Sequence, residues 1–287
     1  MLLIRVNATS ANVCVGFDVL GLALDIKNEF GFEKSDRFEF VGFEKQYANI
    51  KNNMVYKAYA IIFEKLNKKP IPVRISFKGD IPVSRGLGSS SSLIVAGIFA
   101  ANEILNKPLN ENDLYDIACE IEGHPDNVAP AIYGGLVASY KTQDKYKSII
   151  YPVANNLKFL VIIPPFKLST HEARMALPKS LPYSDIVNNL SRIVNIPYAF
   201  KNGDVKLLKE LFNDRVHEPY RGKLIANYDN IKNDLKDLNC AFAISGSGST
   251  MLVICENEEE VLKRIEKYGY EAKLAGLGGK VEIEGGF

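Results

Sequence analysis

The stretch PVSRGLGSSSSLIVAGIFAANEIL, residues 82 to 105, runs two glycines and four consecutive serines into an apolar helical pattern. Backbone N–H groups in the first turn of a helix lack intrahelical partners, and the helix dipole adds about half a positive charge there, so this end suits an anion. Gly86 and Gly88 permit dihedrals that other residues resist and let amides approach a phosphate with no Cβ between. The serines offer a helix cap and hydroxyl oxygens for phosphate or Mg²⁺. Pro82, Val83, Ser84, Arg85, Gly86, Leu87, Gly88, Ser89, Ser90, Ser91 and Ser92 are therefore read as a nucleotide-phosphate cradle. The residue after Gly88 is Ser89, so the P-loop lysine is absent, and the third glycine of the Rossmann fingerprint is missing.

Other residues with chemical potential lie elsewhere. Ser169 and Glu172 form a capping-box pattern that predicts a helix from about residue 170, with His171 and Arg174 three apart on one face. Asp126, in IEGHPDNVAPA, offers a carboxylate that either takes a proton or holds its loop by accepting backbone bonds. The three histidines and four cysteines never fall at metal-ligand spacing, and His171 and His217 are read as surface or packing residues. SGSGST, between two predicted strands, and GLGGK, at 276 to 280, are read as glycine-rich turns. Asn7-Ala8-Thr9 matches a glycosylation sequon, a pattern common by chance.

Four stretches taken in order, NATSANVCVGFDVLGLAL, PVSRGLGSSSS, IEGHPDNVAPAIYGG and AISGSGSTML, resemble the small-molecule kinases named for galactokinase, homoserine kinase, mevalonate kinase and phosphomevalonate kinase. The wording GFDVLGLAL, GHPDNVAPA and HEPYRGKLI is nearest the branch that phosphorylates homoserine, and the likeness runs from residue 4 to about 255. It implies ATP-dependent phosphorylation of the L-homoserine hydroxyl to O-phospho-L-homoserine, on the way to threonine, with Mg²⁺ required. The fold it implies is α+β and two-lobed: an N-terminal α+β domain and a C-terminal ferredoxin-like domain, paired as a homodimer. A sister kinase with another hydroxylated acceptor and a nucleotide-binding sensor without turnover are the alternatives.

By the same resemblance Ser90 ligates Mg²⁺ together with a carboxylate from NENDLYDIACEIE. Glu120 and Glu122 are both candidates; two apart on a helix, at most one of them faces the metal, and Glu122 is preferred. Asp18 is the implied acceptor for the substrate ammonium, with Asn12 beside it. Arg174 and Arg221 are the implied carboxylate partners, because a planar guanidinium takes a carboxylate bidentately. His124 and Asn127 are the implied catalytic pair at the hydroxyl end, with Asn127 orienting the hydroxyl. SGSGST is implied to support the cradle from the other lobe. The chain departs from the pattern at Cys14 and Val15, where Gly-Pro is usual, and at Ser249, where proline is usual.

These residues need a scaffold, and the composition supplies one. At 287 residues, 47% hydrophobic and 24% charged, the chain is long enough for two cores and matches neither disordered nor fibrous classes. Its 35 basic and 34 acidic residues leave no global field for nucleic acid or an anionic membrane, so an anionic ligand must be bound locally. The longest apolar runs, LIVAGIFAA and FLVIIPPF, are short of a membrane span, and the scattered cysteines suit a reducing cytoplasm. RFEFVGFE and VRISFKG predict strands, and NMVYKAYAIIFEKLN a helix between them. A change of character near residues 142 to 157 predicts a boundary between an ATP-binding domain at 1–152 and a second domain at 153–287.

Overall fold

The structure is a computed structural model that describes residues 1–287. The first lobe is built on a seven-stranded sheet: β1 (Leu2–Ala11), β2 (Leu20–Lys34), β3 (Glu39–Val41), β4 (Val73–Gly79), β5 (Leu136–Lys141), β6 (Tyr146–Tyr151) and a late strand, β11 (Glu282–Gly285). Four helices accompany it, α1 (Met54–Lys65), α2 (Ser89–Ile104), α3 (Glu111–Glu122) and α4 (Pro125–Tyr133). The alternating apolar residues of β1, Leu2, Ile4 and Val6, face a core shared with Val55, Tyr59 and Phe63 of α1 and Ile94, Val95 and Ile98 of α2. Helix α2 is apolar nearly all round, and it is accordingly buried along most of its length.

The second lobe holds β7 (Lys158–Ile163), α5 (Thr170–Met175), α6 (Tyr183–Ile193), α7 (Ile196–Asn202), α8 (Val205–Leu211), α9 (Glu218–Arg221), α10 (Tyr228–Asp234), β8 (Cys240–Ile244), β9 (Met251–Cys255), α11 (Glu258–Ile265) and β10 (Glu271–Ala275). Its sheet is antiparallel throughout, in the order β10-β7-β9-β8. Counted within the lobe that order is 4-1-3-2, the ferredoxin-like arrangement. The five residues of β9 are all buried, and alternate ones feed two cores: Leu252 and Ile254 join β1–β2 side chains such as Leu22 and Leu24, while Val253 and Cys255 pack toward α10 and α11. The two lobes therefore share a continuous apolar contact.

Two expectations change here. The second lobe does not run to residue 287, because after β10 the chain crosses back and β11 pairs antiparallel with β1, Leu2 opposite Gly285. The crossing passes through GLGGK, where Gly278 exchanges backbone hydrogen bonds with Gly135 and Ala23. RFEFVGFE yields only the three-residue β3, since the chain turns at Gly42, where a Cβ would fall 2.0 Å from the Phe77 carbonyl oxygen.

Candidate active site between the lobes

A cleft of about 370 Å³ opens between the lobes, a size ordinary for a small-molecule site. The N-terminus of α2 forms one wall. The N-cap is Gly88, in the left-handed region at φ 69°, and no side chain caps the helix. The sequence offers the serines as the cap, but the structure puts Gly88 in that position. Ser90 and Ser91 turn their hydroxyls to Glu122, at 2.9 and 2.7 Å, and Ser92 donates to the Ser89 carbonyl while accepting from Asn28. The first-turn amides are thus left without a side-chain competitor, which is what an anion site at a helix start requires.

The two glycines are needed for a different reason than clearance for phosphate. A Cβ on Gly86 would sit 2.1 Å from the Ser245 carbonyl, and one on Gly88 1.9 Å from Thr9 Oγ1. Both would strike protein. The loop is clamped instead: Ser245 Oγ donates to Gly86 O, Thr250 N to Arg85 O, and Thr9 N to Leu87 O. Arg85 spans the lobes, its guanidinium donating to the carbonyls of Pro164 and Pro165. Of residues 82 to 92, Val83, Ser84, Arg85, Gly86, Gly88, Ser89 and Ser90 line the cleft; Pro82, Leu87, Ser91 and Ser92 do not. Leu87, Ser91 and Ser92 are buried behind it.

Glu122 and Glu120 part as helical spacing requires. Glu122 lines the cleft beneath the α2 serines, whereas Glu120 points away and pairs with Lys65 at 3.1 Å. Next in the chain, His124 and Asp126 meet at 2.6 Å through Nδ1, with Asp126 almost wholly buried. Burial pulls the His124 imidazole down, but the Asp126 hydrogen bond and the charges of Asp126 and Glu122 outweigh it, and the net displacement is upward. Asn127, two residues into α4, accepts a 2.7 Å bond from the Thr9 hydroxyl.

At the far end of the cleft the loop from Asn12 to Asp18 meets α5 and α9. The capping box at Ser169 and Glu172 is present, and it starts α5 so that Arg174 reaches Asp18 with both terminal nitrogens, at 3.0 and 2.8 Å. Arg221 is buried and has no carboxylate partner: Nε donates to Ala173 O and Nη1 to Gly246 O. Desolvation, then the neighbouring Arg174 charge, holds its pKa below the usual guanidinium value. Both guanidinium groups lie over the Phe17 ring, Arg221 at 5.1 Å and Arg174 at 5.8 Å from its centre.

Residues 53–135 match the family model for the GHMP kinases N terminal domain and residues 198–272 that for the GHMP kinases C terminal. The curated homoserine kinase of Clostridium beijerinckii is 42% identical over 285 residues, spanning 96% of this chain and 95% of that protein. That of Clostridium botulinum strain Okra is 43% identical, over 91% of this chain and 88% of its own. The chain belongs to the homoserine kinase family. The crystal structure of homoserine kinase from Cytophaga hutchinsonii superposes with a TM-score of 0.87 at 27% identity, covering 99% of this chain and 97% of that one.

Within this homoserine kinase family member, some residues behave differently from their sequence reading. Asn12 does not offer a free amide: its Oδ1 accepts from Asp18 N and its Nδ2 donates to Gly246 O, so it ties the loop to the second lobe. His217 is a packing histidine with a defined partner. Fully buried, it stacks on Phe17 and donates from Nε2 to Cys14 O at 2.7 Å. Asn12, Val13, Cys14 and Asp18 all have positive φ, so the loop carries four left-handed non-glycine residues, and these cross-lobe bonds fix the path that Gly-Pro would otherwise set. Ser249 donates to Phe166 O. His171 is exposed.

Sequence reasoning missed Thr9, passed over as the end of a sequon; Asn7 and Thr9 are both buried, which closes that sequon to glycosylation. It also missed the apolar end of the cleft, lined by Phe43, Tyr47, Met54 and Phe77. Phe43 and Phe77 stack at 5.1 Å, a contact between distant chain segments with no local signature.

Proposed function

We infer that this chain transfers the γ-phosphoryl group of ATP to the hydroxyl of L-homoserine, giving O-phospho-L-homoserine and ADP. The observation that carries this reading is the charge arrangement at the far end of the cleft. A buried Arg221 without an anionic partner lies beside Arg174, which is itself clamped to Asp18. A buried cation without a counter-ion is costly, and a ligand carboxylate entering between the two guanidinium groups relieves that cost. Asp18 then takes the ammonium of the same ligand. An α-amino acid meets both demands; mevalonate offers a carboxylate but no ammonium, and a sugar acceptor offers neither. A non-catalytic nucleotide sensor would have no use for this subsite.

With the zwitterionic end held there, the side-chain hydroxyl extends toward Asn127 and His124 and the α2 N-terminus. Asn127, fixed by Thr9, orients the hydroxyl, and the open amides of α2 together with Ser89 and Ser90 receive the phosphates. The aromatic end of the cleft suits a nucleobase. Ser90 and Glu122 offer hard oxygen ligands of the kind Mg²⁺ takes, few in number because the ion keeps waters and phosphate oxygens. When bound, such an ion neutralises charge on the transferring phosphoryl group. Asp126 is engaged by His124, which supports direct passage of the hydroxyl proton to the phosphate rather than a dedicated base. The reading includes a cytoplasmic setting and a homodimer; no helix is long and apolar enough to cross a membrane.

A coupled ADP-release assay tests the reading. L-homoserine is predicted to drive turnover, with L-serine and mevalonate near background. Turnover of mevalonate at a comparable rate would overturn it.

A further inference from the structure

Phe17 is an aromatic ring without a hydrophobic core. It is half-buried, yet it joins none of the three apolar clusters that hold the fold together, and it does not line the cleft. What faces its ring is the imidazole of His217, stacked at 5.4 Å between ring centres, and the guanidinium groups of Arg221 and Arg174, at 5.1 and 5.8 Å from its centre. A ring placed for burial alone would sit in an apolar cluster. The face of an aromatic ring carries partial negative charge, and a cation within about 6 Å of its centre is attracted to it.

We propose that Phe17 is a positioning residue of the acceptor site, a shared platform that keeps Arg174 and Arg221 aimed at one carboxylate while Asp18 changes partner. The need for it follows from the bonds each guanidinium makes. Arg174 has Asp18 as its only hydrogen-bond partner, and its side chain is 38% exposed. Once a substrate ammonium draws on Asp18 those bonds weaken, and a long side chain with high rotamer entropy is free to swing out. The ring contact survives the exchange, because it does not involve the carboxylate. Arg221 is fixed by the carbonyls of Ala173 and Gly246, which carry no net charge to set against the repulsion from the second cation. The ring supplies negative potential to both.

The platform is itself held in place. Phe17 directly precedes Asp18, whose N–H donates to Asn12 Oδ1, so the ring and the carboxylate are set by the same anchored loop. His217, which stacks on the ring, is fully buried, donates from Nε2 to Cys14 O and stands at the N-cap of α9. Asp214 Oδ2 fixes that helix start by accepting the backbone N–H groups of Val216, His217 and Glu218. One short helix therefore meets the ring twice, with His217 at its start and Arg221 at its end.

The platform rests on the phosphoryl-transfer reading above, and its test separates the two. Replacing Phe17 by mono-, di- and trifluorinated phenylalanine keeps the shape of the ring while draining negative charge from its face. Equilibrium binding of L-homoserine should weaken stepwise along that series, to roughly 10-fold, and Phe17→Leu should weaken it by roughly 10- to 30-fold. 4-Hydroxybutyrate, which keeps the carboxylate, should follow the same trend. 3-Aminopropan-1-ol, which lacks it, and a nonhydrolysable ATP analogue should stay within about two-fold in every variant, because neither calls on the two guanidinium groups. Circular dichroism checks the fold of Phe17→Leu, and the fluorinated series does not depend on that variant. A flat response along the series, with L-homoserine still bound by the wild type, overturns the platform alone. Equal weakening of every ligand makes Phe17 a packing residue and overturns it as well. A wild type that binds no L-homoserine overturns the function read above, and the platform with it.

Discussion

On the proposed function, the two ends of the cleft solve the same problem, holding a charged ligand, by opposite means. At the α2 N-terminus the recognition groups are backbone amides that the fold leaves open, and the nearby side chains are tied to one another, Ser90 and Ser91 to Glu122 and Ser92 to Asn28. At the amino-acid end the recognition groups are charged side chains, and part of that charge is already satisfied within the protein by the Arg174–Asp18 pair. On that reading the first site waits for its anion, and the second must exchange an internal pair for a ligand. That exchange is cheap, because both members are more than a third exposed and such pairs are worth about 0–1 kcal/mol. The proposed function thus places rigidity where the phosphoryl group moves and a replaceable contact where the acceptor is selected.

The largest effect is expected at the rigid end. Glu122→Gln should lower kcat by about 100-fold or more, in line with removing one fixed electrostatic contact to a transition state, while Glu120→Gln on the outer face stays near wild type. Steady-state rates for the pair check it, and equal losses would mean that the helix, rather than its inner carboxylate, is what matters. At the exchangeable end, Arg221→Met should raise the homoserine KM by roughly 30- to 150-fold, the value of a charge-assisted bond of about 2 to 3 kcal/mol, with little change for ATP. Parallel loss of both affinities would show that Arg221 only holds the cleft together.

Between the two ends, Thr9→Val keeps the shape of a buried residue and deletes the bond to Asn127. A fall in kcat of about 5- to 10-fold with both KM values steady is expected from a lost bond of about 1 kcal/mol. The smallest effect concerns His124. Its folded-state pKa lies above the ordinary value, so the stability it contributes is full below the unfolded pKa and is lost as pH rises through the folded one. Urea unfolding from roughly pH 5.5 to 9, spanning the ordinary histidine value near 6.5, should show the gap between wild type and Asp126→Asn narrowing upward. A gap that widens with pH would reverse the assigned sign.

The two ends also differ in how far they could be read from sequence. The cradle is one continuous string, and the capping box at Ser169 and Glu172 is a four-residue signal, so both were visible as local chemistry. Which serine does what was not, because Gly88 takes the cap position and Glu122, more than thirty residues on, claims the hydroxyls. The Asp18–Arg174 pair joins residues 156 apart, and only family likeness brought them together. His217, the return of β11 and the burial of Asn188 and Asn189 on α6 are products of tertiary contact, and a histidine or an amphipathic pattern looks the same in sequence whichever way it faces.

The most direct test of the exchange at the amino-acid end is equilibrium binding of L-homoserine beside two truncated ligands, 4-hydroxybutyrate without the ammonium and 3-aminopropan-1-ol without the carboxylate. If Arg174, Arg221 and Asp18 read a zwitterion, each truncation should weaken binding by about 100-fold or more, because it leaves a protein charge unmatched. Either truncated ligand binding within a few-fold of L-homoserine would contradict the account.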